Sequence, residues 1–346
     1  MYIHVRNLYY MQHGIDVTVL NFNSEENYSV DGIDVITVSE YKRRKKSGNY
    51  DILVCHAPNI RYHYNFLKRY ENNFPKIVFF FHGHEVVQIN KIYPKPYTFV
   101  KQASRFKKLI RGGYDIIKLK LWHSYFPKLQ HKSYFVFVSK WMHDQFLYWV
   151  KLNPEIIKNR YSIINNCIGK TFEDKDYNHI SNKAYDFITI RSHLDGSKYS
   201  IDIVNNLAMN NPQHSFLLIG KGEIFNHIKK ADNLKWINKN LSHEEIIDYL
   251  NQSRCALMPT RTDAQGLMMC EMASFGIPLI TSNISVCNEV CNKLNNVELI
   301  DNDKNDINLT PIIKKLWSKV PYEKNTQYFK ENTCGAEVQV LYNLLK

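Results

Sequence analysis

The chain is predicted to be an α/β protein of two Rossmann-like, doubly wound domains. Strand-like apolar runs alternate with helix-like stretches, a polar connection near Asn165 separates two sets of them, and 346 residues suffice for two cores. Residues 1–13 read as the first helix. Asp16–Leu20, Asp51–Cys55, Lys76–Phe81 and Tyr134–Val138 are the strands of the first set. Lys76-Ile-Val-Phe-Phe-Phe81 is branched and aromatic without interruption, as a strand covered on both faces requires. Phe187–Ile190, Ser215–Ile219, Leu234–Ile237, Cys255–Met258 and Pro278–Thr281 form the second set. Thr333–Lys346 reads as an amphipathic closing helix. No strand-like run precedes the first helix.

Composition excludes several classes. Apolar residues make up 44% and charged residues 23%, as in soluble globular proteins, and no run of about 18 apolar residues offers a transmembrane helix. The N-terminal residues do not read as a signal peptide. Seven cysteines, an odd and scattered set, suggest reduced thiols and a cytoplasmic setting. Cys287 and Cys291 have half-site spacing, but no second pair follows, so no metal is expected there.

The net charge of +12 is uneven. Between Phe99 and Lys132 nine Lys/Arg face one acid, Asp115, interleaved with aromatic and aliphatic residues. Such a segment suits an anionic membrane surface, while a solvated face over a core stripe and nucleic-acid binding are the other readings. Nothing resembling a nucleic-acid module accompanies it. Lys42–Lys46 reads as a solvated loop.

The densest chemistry lies at Asp263-Ala-Gln-Gly-Leu-Met-Met-Cys-Glu271, followed by Gly276-Ile-Pro278. With Glu271 in the first turns of a helix, Asp263 falls in the loop before it. Both carboxylates would then face a ligand above the positive helix N-terminus, with phosphate on the dipole and sugar hydroxyls on the acids. Ala256-Leu-Met-Pro259-Thr260 precedes this stretch and Leu279-Ile-Thr-Ser282 follows it. In that order the stretch resembles the E-x7-E segment of retaining glycosyltransferases of the GT-B fold, sequence family 4, with Asp in place of the first Glu.

Other parts fit the resemblance. Arg191-Ser-His-Leu-Asp-Gly-Ser-Lys198 looks like the family's loop whose cations hold the leaving diphosphate, stabilising growing negative charge without metal. Gly220-Lys-Gly222 follows a strand, where Gly permits close approach of a ligand or neighbouring chain. Phe81-His82-Gly83 resembles the strand end whose His faces the transferred sugar; His84 and Glu85 add a metal-binding alternative. Ser139 reads as a strand-end Ser or a helix cap, and Ser242 with Glu245 as a capping box. Asn165-Asn166-Cys167 stands where the family has Pro-Asn-Gly. The family's opening strand and Gly-rich loop have no counterpart before residues 1–13, so either the start is assigned late or the N-terminal domain lacks its first strand, which would leave unpaired sheet edges.

The resemblance implies two domains flanking a deep cleft, with residues 1–166 binding acceptor, 167–325 binding the nucleotide sugar, and 326–346 crossing back to the first domain. It implies hexose transfer with retention and without a metal or other cofactor, from a nucleoside-diphosphate sugar, UDP-linked by preference. The acceptor would be a lipid-linked or lipid-anchored glycan of bacterial surface polysaccharide, such as lipopolysaccharide or capsule. The enzyme would sit peripherally on the inner face of the plasma membrane. His82, Arg191, Lys198 and Asp263 would be catalytic. Gly220, Gly222, Gln265, Gly266, Leu267 and Glu271 would bind the donor. The alternative is a catalytically silent GT-B protein acting as a binding or scaffold partner, and a nucleotide-sugar epimerase of the same fold fits less well.

Overall fold

The computed structural model describes residues 2–45, 50–101, 104–304 and 306–346, apart from the side chains of residues 2 and 105–109. Lys46 and the side chains of Arg105, Lys107 and Lys108, all counted in the basic stretches, therefore lie outside the described residues. The chain forms two compact units: residues 1–87, 114–167 and 330–346 in the first, residues 88–113 and 168–329 in the second.

The elements run α1 (Tyr2–Gln12), β1 (Thr18–Leu20), β2 (Tyr28–Val30), β3 (Ile33–Ile36), α2 (Val38–Arg44), β4 (Ile52–His56), α3 (Asn65–Tyr70) and β5 (Lys76–Phe81). Then come α4 (Ile89–Ile92), α5 (Arg105–Leu129), β6 (Ser133–Phe137), α6 (Lys140–Val150) and β7 (Tyr161–Ile163). The first unit holds two sheets, ordered β1-β3-β2 and β4-β5-β6-β7, the second wholly parallel. Among the described residues both β1 and β4 are edge strands. β2 and β3 form a hairpin through Asp31-Gly32, both with positive φ (48° and 81°), the geometry of a tight primed turn.

The pleat of β5 sorts its aromatic run onto two faces. Val78 and Phe80 join Tyr9 and Tyr10 of α1 and Val338 and Leu341 of the closing helix, α13 (Lys330–Leu345). Phe79 and Phe81 meet Trp122, Phe126 and Phe146 from α5 and α6. Each fully buried Phe stabilises by roughly 1.5–3 kcal/mol. On α5, Lys118 is not a surface cation. It is buried, pairs with Asp115 at 2.8 Å and donates to the carbonyls of Val87 and His84. Among its neighbours Ile110, Tyr114, Ile116 and Ile117 are exposed.

The second unit is one six-stranded parallel sheet ordered β10-β9-β8-β11-β12-β13. Its elements are α7 (Lys170–Asp174), β8 (Tyr185–His193), α8 (Ile201–Asn210), β9 (Phe216–Lys221), β10 (Leu234–Ile237), α9 (His243–Asn251) and β11 (Ser253–Met258). α10 (Leu267–Phe275), β12 (Leu279–Ser282), α11 (Ser285–Cys291), β13 (Val297–Ile300) and α12 (Leu309–Trp317) complete it before α13. Residues 88–113 group here because Tyr97 and Phe99 pack on this unit's core and the Tyr97 hydroxyl donates to Asp202 at 2.7 Å. All seven cysteines are buried free thiols; Cys287 and Cys291 lie in the packed interior of α11. Among the described residues no helix is long and apolar enough to cross a membrane.

Candidate functional site

In the second unit the loops after β8, β9 and β11 leave the C-terminal ends of neighbouring strands, where sites in open α/β sheets form. Arg191, near the end of β8, is buried. Its guanidinium donates to the carbonyls of Pro259 (2.9 Å) and Met258 (3.4 Å) at the end of β11 and lies 5.2 Å from the Tyr199 ring. Nε has no partner. Burial lowers its pKa from the usual value, and the nearby charge of Asp263 works against that. Among the described residues its hydrogen bonds go only to these backbone carbonyls.

Lys198 sits in the turn Ser197–Tyr199, its carbonyl accepting from Arg261 N–H (2.9 Å) and Thr260 Oγ1 (3.0 Å). Its ammonium lies 4.7 Å from the Tyr199 ring and 5.6 Å from that of Tyr93, with no ion pair among the described residues. The turn is fixed by a fork that sequence reading missed. Arg261 grips Asp202 through two bonds of 2.8 and 2.6 Å and the Ser197 carbonyl at 2.9 Å. Its only sequence signal is position, just after the Pro259-Thr260 strand end.

Asp263 Oδ1 accepts from Ala264 N–H (2.8 Å) and Gln265 N–H (3.4 Å), which shapes the turn into α10. Gln265 is buried, Gly266 takes the left-handed cap position, and Leu267 opens the helix, leaving its first N–H groups without intrahelical partners. Glu271 is the fifth residue of α10, one turn deeper than an N-terminal carboxylate. It is 4% exposed, accepts from Gly169 N–H at 3.0 Å, and burial pushes its carboxyl up to about 7. Gly169 is required for this approach, since a Cβ there would meet His243 at 2.8 Å and Glu271 Oε1 at 3.3 Å.

Gly220 and Gly222 serve a neighbouring chain segment. A Cβ on Gly220 (φ +153°) would stand 2.0 Å from the Arg191 carbonyl oxygen, and one on Gly222 would lie 2.8 Å from Asp195 Oδ1. The two glycines thus let the β9 loop pack on the β8 loop that carries Arg191 and Lys198. Trp236 Nε1 donates to the Gly220 carbonyl (3.0 Å), and Ser242 with Glu245 forms the expected capping box.

His82 belongs to the first unit, at the C-terminal end of β5. Its Nδ1 lies 3.1 Å from Asn166 Oδ1 and its Nε2 3.2 Å from His56 Nδ1. Because Asn166 Oδ1 also accepts from Arg6 (2.8 Å), the network assigns the His82 proton to Nδ1. Arg6 is in turn paired with buried Glu337 at 2.9 Å. Burial, then the Arg6 charge, lowers the His82 pKa to about 3. The imidazole is therefore neutral at physiological pH and acts through hydrogen bonds. Glu85 accepts from the N–H groups of Gly83 (2.7 Å) and His82 (3.3 Å), so it caps this turn. Ser139 caps α6 through Met142 N–H at 3.0 Å. Among the described residues no group of three or more His, Cys, Asp or Glu could hold a metal ion.

Arg191, Lys198, Asp263 and the start of α10 thus gather on adjoining loops of one sheet, with Glu271 buried behind them. Residues 174–333 match the model of the family described as glycosyl transferases group 1. The chain superposes on sucrose-phosphate synthase from Thermosynechococcus elongatus with a TM-score of 0.70 at 12% identity, covering 99% of this chain and 92% of that one. It also resembles WaaG, a glycosyltransferase involved in lipopolysaccharide biosynthesis (TM-score 0.56, 13% identity, 99% and 92% covered). A third likeness is to an α,α-trehalose-phosphate synthase (UDP-forming) from Burkholderia vietnamiensis (TM-score 0.57, 10% identity, 95% and 93% covered). These likenesses show the fold, which is GT-B. Comparison with curated proteins found no match.

Proposed function

We propose that this chain, which carries a group 1 glycosyl transferase domain over residues 174–333, moves a hexose with retention from a UDP-sugar to a lipid-linked glycan. The observation that carries the reading is the pair of cations on the β8 loop. Among the described residues Arg191 is buried against carbonyls with Nε unpaired and Lys198 has no ion pair, while Arg261 ties the Lys198 turn to Asp202. Fixed cations of this kind stabilise a diphosphate whose charge grows as the glycosidic bond breaks. Asp263 with the backbone from Gln265 to Leu267 would hold the donor sugar and phosphate, Glu271 the ribose, and neutral His82 the transferred hexose.

With two protein cations for the leaving group, the proposed route needs no metal. The leaving phosphate takes the acceptor proton on the same face. UDP is favoured by the trehalose-phosphate synthase likeness, whose name specifies UDP formation. A lipid-linked surface glycan as acceptor is suggested by WaaG's place in lipopolysaccharide biosynthesis and by the exposed Ile110, Tyr114 and Ile117 beside exposed Arg111, Lys120 and Lys128 on α5. The same face suits peripheral attachment to the cytoplasmic leaflet.

The test is Lys198→Ala, which should lower turnover by roughly 10²–10³-fold, while EDTA leaves the wild type unaltered. Loss of activity in EDTA with rescue by manganese would transfer the charge role to a metal. The second reading, a silent GT-B scaffold, is favoured by the split sheet with open edges at β1 and β4. It predicts no turnover in either protein.

A further inference from the structure

We propose that the first unit carries an anion site of its own, at the opposite strand ends from His82, that takes a phosphoryl-bearing ligand with an apolar portion. A cavity of about 590 Å³ opens at the N-terminal ends of β5, β6 and β7, within the size range of small-molecule sites. Lys76, Lys132, Lys158 and Arg160 line it, and among the described residues no carboxylate does. Three of these charges are uncompensated. Lys132 donates to the Glu71 carbonyl (2.6 Å) and Arg160 to the Gln130 carbonyl, while the Lys76 ammonium has no partner among the described residues. Lys158 pairs with exposed Glu155 at 3.1 Å.

Val340 and Leu344 of α13 supply an apolar wall. The strands are parallel, so this end lies one strand length from His82, roughly 20 Å for six residues. It is therefore neither the strand-end crevice holding His82 nor the donor loops of the other unit.

The experiment titrates the full chain calorimetrically with inorganic pyrophosphate. Wild type should bind at two sites, one of them lost in Lys198→Ala. The double variant Lys76→Met with Arg160→Met should weaken the other by tenfold or more. A folded double variant with the wild-type isotherm would overturn the proposal, as would a wild type whose only site vanishes in Lys198→Ala. Vesicles containing phosphatidic acid separate two sources of the phosphate. If the double variant also ceases to co-sediment with them, the ligand is a lipid headgroup; if it loses only pyrophosphate, the ligand is a soluble phosphorylated compound.

Discussion

Replacing Glu271 by Gln removes a charge from a site that resists it while keeping an oxygen to accept from Gly169 N–H. Burial pushes this carboxyl from its usual 4.5 up to about 7. A raised carboxyl pKa means that the folded state binds the proton more tightly than the unfolded state. Glu271 therefore imposes no penalty below pH 4.5, a growing one as pH rises toward 7, and the full one above it. At about 1.4 kcal/mol per tenfold change in proton affinity, the gap amounts to at most about 3.5 kcal/mol. For a unit of this size each kcal/mol moves the thermal midpoint by roughly 2–4 °C. Glu271→Gln should thus raise the midpoint of the second unit by several degrees at pH 8 and change it little at pH 5. The same variant should bind UDP more weakly by roughly 1–3 kcal/mol, the scale of a hydrogen bond to a charged group. Differential scanning calorimetry at the two pH values, with UDP titration beside it, reads both effects. A wild-type midpoint that does not fall relative to the variant between pH 5 and 8 would refute the burial argument. Unchanged UDP affinity would remove Glu271 from the site.

Gly220→Ala places a Cβ 2.0 Å from the Arg191 carbonyl oxygen at a φ of +153°. It should destabilise the second unit by more than about 3 kcal/mol, and a wild-type thermal midpoint would contradict the close packing of these two loops. Replacing exposed Arg111, Lys120 and Lys128 by Glu should abolish co-sedimentation with anionic vesicles at low salt, each cation contributing about 1 kcal/mol at best. Turnover on a soluble acceptor analogue should be spared. Equal binding of the wild type to neutral vesicles would leave this face a solvated one.

Elements with long, continuous signals were legible in the chain. Lys76–Phe81 matches its predicted bounds, because the unbroken branched and aromatic run Ile77–Phe81 admits little else. β7 and β13, of three and four residues, are too short for periodicity to show. The β2–β3 hairpin could have been read from Asp31-Gly32, a strong turn signal flanked by Tyr28-Ser-Val and Ile33. For the site, residue types and order indicated which loops matter, and the structure brings Arg191, Lys198 and Asp263 onto adjoining loops. What spacing could not reveal were contacts distant in sequence, such as Arg261–Asp202, Gly169–Glu271 and Arg6–Glu337. Nor could it tell that Lys118, one of nine cations in a basic stretch, is turned inward onto Asp115.

The central claim is tested most directly by incubating the full chain with a panel of UDP-hexoses and following UDP release, with the anomeric configuration of the transferred sugar read by NMR. The account predicts release from at least one donor in the presence of EDTA, with the configuration retained and the rate lowered roughly 10²–10³-fold by Lys198→Ala. An inverted product would contradict the same-face route. No release from any donor, together with no UDP binding, would contradict the enzyme reading itself and leave the silent GT-B scaffold.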